Sequence, residues 1–112
     1  MNRLAQQHCS PVRKSDAVLS DQQIQSYSDQ LNKLWTTDES GSGISREFHF
    51  KNYYETFAFV NAVVWIVHEQ DHHPEINISY NHCQITFSTH SIAALSVNDF
   101  ICAAKINEIA PA

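Results

Sequence analysis

Residues 52–71 constrain this chain more than any other stretch. Phe57, Val60, Val64 and Val67 recur at helical spacing, and Ala58, Phe59, Ala62, Val63, Trp65 and Ile66 widen the stripe. A helix that is apolar around most of its circumference is expected at the buried centre of a fold. Pro74 is expected to end it, because the residue before a proline is pushed out of the α region. The period changes on both flanks. Upstream, Ile44, Arg46, Phe48 and Phe50 face one way, and Ser45, Glu47 and His49 the other. Downstream, Ile76, Ile78 and Tyr80 alternate, Asn81-His82 makes a turn, and Cys83, Ile85 and Phe87 alternate again. A period of two marks strands, so the helix stands between two strand pairs.

The remaining segments complete the order. Ser20 followed by Gln23 is a capping-box arrangement, and Ile24, Tyr27, Leu31 and Leu34 continue at helical spacing, which predicts a first helix over 21–34. A short strand is expected at 35–37, and the Gly/Ser-rich 38–43 as a hairpin loop. Residues 91–96 are a connector. A last helix is expected from Asn98 or Asp99 to Glu108, with Phe100, Ile101, Ala104 and Ile106 in the core. The order α-β-β-α-β-β-α predicts an α+β fold, a four-stranded antiparallel sheet with helices packed on one face. Residues 1–19 are polar and aperiodic and are expected as a flexible N-terminal arm, with 20–112 as a single domain.

Several function classes are disfavoured by bulk properties. The chain has 112 residues and is 43% hydrophobic and 17% charged, enough for one modest core. Small cores gain from self-association, so a homo-oligomer is expected. The formal net charge is -5 and Lys/Arg residues do not cluster, which argues against nucleic acid and against an anionic membrane surface as partners. The apolar stretch at 57–67 is short and interrupted by Asn61, so no membrane span is expected. Three widely spaced cysteines, Cys9, Cys83 and Cys102, predict reduced thiols, and no secretory signal is visible, so a cytoplasmic location is expected.

The chemistry-bearing residues are histidines. Five of the seven lie between His68 and His90. Imidazole titrates near neutral pH, which suits proton transfer or metal binding. His72 and His73 stand where the long helix is expected to stop, pointing about 100° apart if still helical, and Pro74 stiffens that exit. His90 lies just past the strand ending near Ser88, so both histidine sources occupy rim positions. His68-Glu69-Gln70-Asp71-His72 matches the zinc-protease pattern H-E-x-x-H. The pattern is short, and His73-Pro74 breaks the helix directly after the second ligand. A weak metal site on His68 and His72 fits it better than a protease, and no functional metal is expected. Asp71 and Asp99 are the nearest acids. Asp99 is equally readable as a helix cap, as Thr89 and Ser91 are as turn residues. His8-Cys9 lacks a C-x-x-C.

Three blocks in this order, His72-His73-Pro74, Ser88-Thr89-His90-Ser91 and Asn98-Asp99-Phe100, resemble the pterin-4a-carbinolamine dehydratases in sequence and separation. Fainter likeness covers 48–62, Leu34-Trp35 and Gln7-His8-Cys9. The resemblance implies a four-stranded antiparallel sheet with helices on one face. It implies dehydration of 4a-hydroxytetrahydrobiopterin to quinonoid dihydrobiopterin, without metal or cofactor, in recycling the pterin of an aromatic amino acid hydroxylase system. It makes His72, His73, His90 and Asp99 the catalytic candidates. His72, His73, Pro74, Thr89, His90, Ser91 and Ile92 become the substrate-binding ones. It also implies a homodimer or homotetramer, and some relatives double as dimerisation partners of a transcription factor. Two positions depart from the family's habit: His68 stands where a glutamate is common, and Ile76 where tryptophan is.

Overall fold

A computed structural model of the chain describes residues 3–111. Met1 and Asn2 of the expected arm lie outside the described residues, as does Ala112 at the domain's far end. The order of helices and strands is the expected one: α1 (Asp21–Gln30), β1 (Thr36–Thr37), β2 (Ile44–His49), α2 (Tyr53–Gln70), β3 (Glu75–Ser79), β4 (His82–Phe87) and α3 (Val97–Ile109). Helix α1 begins with the expected capping box, Ser20 and Gln23 each accepting the other's backbone N–H. It stops at Gln30 rather than Leu34. The Asn32 side chain accepts the Leu34 N–H at 3.2 Å, a local hydrogen bond that competes with a further helical turn.

The four strands form one antiparallel sheet in the order β1-β2-β4-β3. Register places Ile44 opposite Phe87, Arg46 opposite Ile85 and Phe48 opposite Cys83, so the apolar alternations of β2 and β4 fall on one buried face. A slip of one residue would turn that whole set to solvent. Arg46 is accommodated on this inner face by a 2.7 Å hydrogen bond to Asn107 Oδ1, with its guanidinium over the Phe48 ring. Edge strand β3 contributes half-buried Ile76 and leaves Ile78 exposed.

The helices share burial differently from expectation. Helix α2 buries one stripe, Thr56, Phe59, Val60, Val63 and Val67, against the core. Its other side stays in solvent, with Trp65 at 64% and Val64 at 48% exposure. The most enclosed helix is α3, where Phe100, Ile101, Cys102, Ala103 and Ile106 are all buried. Within the segment expected as a flexible arm, Leu4–Gln6 forms a 3-10 turn that packs on α3. Leu4 there is buried, and Lys105 Nζ donates to the Ala5 carbonyl at 2.8 Å.

The exit of α2 also departs from expectation. Pro74 does not end the helix. Asp71 does, in a left-handed conformation with φ 52°. Its N–H donates to the His68 carbonyl and the His72 N–H to the Val67 carbonyl, the paired bonds of a Schellman cap. His72 and His73 therefore leave the helix altogether, and the 100° separation expected of helical neighbours does not apply.

Ala93 follows the 3-10 turn His90–Ile92 and is, among the described residues, the other left-handed non-glycine, at φ 50°. A Cβ in that region costs roughly 1–2 kcal/mol, more than the extra chain entropy a glycine loses. Ala93→Gly is therefore expected to stabilise the protein by about 0.5–1 kcal/mol in urea unfolding. A loss of stability would contradict the left-handed turn.

Candidate active site

Four chain segments enclose a cleft of about 820 Å³. The exit of α2 supplies residues 69–75, and β4 with its following turn supplies Thr86 and residues 88–91. Asn98 comes from the first turn of α3, and residues 9–12 close the remaining side. This last segment is a strap across two helix ends. The Cys9 N–H donates to Gln70 Oε1 at 2.8 Å. Asn98 clamps Ser10 in both directions, accepting its N–H at 3.2 Å and donating to its carbonyl at 2.6 Å.

The chemical centre is a buried pair. Asp99 is fully buried, and its Oδ1 accepts a hydrogen bond from His72 Nε2 at 2.6 Å. Its Oδ2 accepts from Thr89 Oγ1 at 2.8 Å and from the Ser96 N–H at 2.9 Å. Because Thr89 gives its proton to Asp99, the 2.7 Å contact between Thr89 and Ser96 hydroxyls is donated by Ser96. Both carboxylate oxygens are thus satisfied, as a charge in this position requires. Asp99 is at once the acid of the α3 capping box and the partner of His72. Capping α3 and pairing with His72 are therefore compatible.

His72 has a side chain 11% exposed and lies parallel to Phe87, with ring centroids 6.0 Å apart. Burial alone would lower its pKa. The hydrogen bond and charge of Asp99, helped by Cys9 and Asp71, outweigh burial, so the value is raised above the ordinary 6.5. With Nε2 given to Asp99, Nδ1 is the nitrogen that can exchange a proton with a ligand.

Of the residues singled out from sequence, His72, His73, Pro74, Thr89, His90 and Ser91 all line the cleft. Asp99 stands behind His72 and does not line it, and Ile92 lies off the lining in the 3-10 turn that carries His90. His68 is outside as well, exposed and against the Trp65 ring at 5.9 Å between centroids. Glu69 lines the cleft with Asp71 and Glu75. The helical geometry of H-E-x-x-H is not formed, since α2 stops at Gln70 and His72 lies past the cap with Nε2 on Asp99. Among the described residues no group of three or more His, Cys, Asp or Glu side chains is placed to hold a metal. Sequence reasoning missed Gln70, Ser10 and Asn98 as wall residues. The likeness at Gln7-His8-Cys9 was the available signal for the strap.

A family model described as Pterin 4 alpha carbinolamine dehydratase matches residues 17–109. The chain belongs to that family. A protein of Legionella pneumophila (strain Corby), provisionally named a pterin-4-alpha-carbinolamine dehydratase, is 44% identical over 95% of this chain and 94% of its own length. One of Nitrosospira multiformis with the same provisional name is 49% identical over 95% and 91%. A crystal structure described as a transcriptional coactivator/pterin dehydratase from Brucella melitensis superimposes with a TM-score of 0.79 at 28% identity, covering 85% of this chain and all of that one. A pterin dehydratase-like protein described as a RuBisCO assembly factor of the alpha-carboxysome shares the fold, with a TM-score of 0.57 at 23% identity over 66% of this chain and 86% of its own. Such a fold thus serves proteins with different roles.

The raised His72 value has a definite sign for stability. Its contribution is complete below the unfolded histidine pKa and is lost as pH rises through the folded value. Asp99→Asn removes the charge that raises it. The variant is expected to lose more stability, relative to the unsubstituted protein, at about pH 6 than at about pH 9. Urea midpoints at the two pH values measure this, and an equal loss at both would remove the charged pair from the account.

Proposed function

We propose that the cleft binds a 4a-hydroxytetrahydropterin and dehydrates it, giving quinonoid dihydrobiopterin and water when the substrate is the biopterin compound. The observation that carries this is the His72–Asp99 pair beside a cleft that His73 and His90 also line. The reaction breaks the C4a–O bond and removes the proton on N5. Hydroxide is a poor leaving group and requires a proton as it departs. His72, held by Asp99 and raised in pKa, keeps that proton and delivers it from Nδ1. His90, exposed at the start of the 3-10 turn, takes the N5 proton. Solvent exchange then reprotonates His72 and deprotonates His90, so no net proton is gained or lost.

The remaining groups bind and position. Asp99 acts through His72, fixing which ring nitrogen faces the substrate. His73 and Pro74 hold the pterin at the α2 exit, and Thr89 and Ser91 hold it at the β4 end. Ile92 supports the His90 turn through its N–H to the Thr89 carbonyl at 3.3 Å. The pyrimidine edge of a pterin presents N–H donors, for which the carboxylates of Glu69, Asp71 and Glu75 are suitable acceptors. A hydroxylase that consumes tetrahydrobiopterin would supply the substrate, and the proposed setting is such an aromatic amino acid hydroxylase system in the cytoplasm. Among the described residues no helix is long and apolar enough to cross a membrane.

The assay follows loss of absorbance of synthetic 4a-hydroxytetrahydropterin. His72→Ala and His90→Ala are each expected to slow turnover by roughly 10²-fold or more. If the unsubstituted protein is no faster than these variants, the dehydration is wrong.

We also propose a homodimer or homotetramer, in which the solvent side of α2 is covered. Tyr53, Tyr54, Val64 and Trp65 make that side apolar in the isolated chain. The same surface would serve a regulatory binding module, and the coactivator description belongs to the Brucella protein. Light scattering after gel filtration is expected to show an oligomer that Trp65→Glu reduces to a smaller species. A monomeric unsubstituted protein would refute the assembly.

A further inference from the structure

Two cysteines that the dehydration does not use meet beside the cleft. Cys9 belongs to the strap and Cys102 to the second turn of α3, and their Sγ atoms lie 3.6 Å apart although the residues are 93 positions apart in sequence. Cys9 is half-buried and lines the cleft, so a small solute reaches it. Cys102 is fully buried directly behind it. The third cysteine, Cys83, is fully buried on β4 and serves as an internal contrast.

The surroundings of the three thiols differ in kind. A hydrogen bond from Cys102 lowers the Cys9 pKa. It acts with His72 and Lys105 against burial and Asp99, which raise it, and the net direction is down. Cys102 is pushed up by that same hydrogen bond and by burial. Cys83 is pushed up to about 11 by burial and by Glu47. The thiolate is the nucleophile, so the accessible member of the pair is also the one whose ionisation its surroundings favour. A disulfide needs about 2.05 Å between sulfurs. Side-chain rotation and a small movement of the strap close the remaining gap, since its links at Cys9 and Ser10 are hydrogen bonds.

We infer that Cys9 is a hydroperoxide-reactive thiol at the rim of the cleft, that Cys102 resolves it, and that oxidation closes a Cys9–Cys102 bridge fastening the strap to α3. In the first step the Cys9 sulfur attacks a peroxide oxygen. The O–O bond breaks, Cys9 becomes a sulfenic acid, and the departing hydroxide takes a proton to leave as water. In the second, the Cys102 sulfur attacks the Cys9 sulfur. The S–O bond breaks, and the second hydroxide leaves as water with the proton Cys102 gives up. Two thiols lose two electrons and two protons, and one hydrogen peroxide becomes two waters. The inference holds whether or not the cleft takes a pterin.

The test uses the full chain, first reduced and then treated with hydrogen peroxide. Two of the three thiols are expected to disappear from a thiol titration in denaturant, and dithiothreitol is expected to restore them. Peptide mapping is expected to join Cys9 to Cys102 and to leave Cys83 free. A bridge across so long a loop is expected to raise Tm by on the order of 10 °C. In Cys102→Ser the Cys9 sulfenic acid is expected to persist long enough for trapping by dimedone, and in Cys9→Ser Cys102 is expected to stay reduced. Mapping of the unsubstituted protein decides the matter even if Cys102→Ser does not fold. The inference is overturned if Cys9 is oxidised no faster than Cys83, if the bridge joins two chains, or if it includes Cys83.

Discussion

A carboxylate with no solvent must find its partners within the protein, and Asp99 finds them on three separate pieces of chain. His72 comes from the exit of α2, Thr89 from the turn after β4, and Ser96 from the cap of α3. A buried, unpaired charge costs several kcal/mol, so each piece is held in place by the penalty for leaving Asp99 unsatisfied. The cleft is the space these pieces leave on their outer side. Its position follows from where the helices and strands end, and its chemistry from the one charge that binds those ends together.

The order of elements was legible because periods of 3.6 and 2 survive any detail of packing. Which helix would be most buried was not. Helix α2 is the more conspicuously apolar, yet Trp65 and Val64 face solvent while the shorter α3 is nearly enclosed. Apolar content states what a helix could bury. How much it does bury depends on how many other elements cover it. Likewise Pro74 is the obvious stop signal, but the stop is a left-handed aspartate, a residue that tolerates this conformation without advertising it.

The candidate site divides along the same line. Helix ends and strand ends are visible in sequence, so His72, His73 and His90 were placed on a common rim from spacing alone. Asp99 could be weighed only as a cap or as a catalytic partner, and the structure turns one of its oxygens to the cap and the other to His72. Cys9 and Asn98 fall in segments of family likeness, but that they and Ser10 meet as one wall was not legible. Their meeting depends on a chain reversal over nearly ninety residues, and no local pattern encodes it.

The strap has a consequence for how the cleft is entered. Three of the walls come from the ends of helices and strands that pack on the core. Residues 9–10 are held by hydrogen bonds to Gln70 and Asn98 and by the packing of Cys9 against the core. Such a segment can detach and reattach many times while the rest of the molecule stays native. The wall of the cleft that is easiest to open is thus a segment remote in sequence from His72, His73 and His90, the histidines that line it.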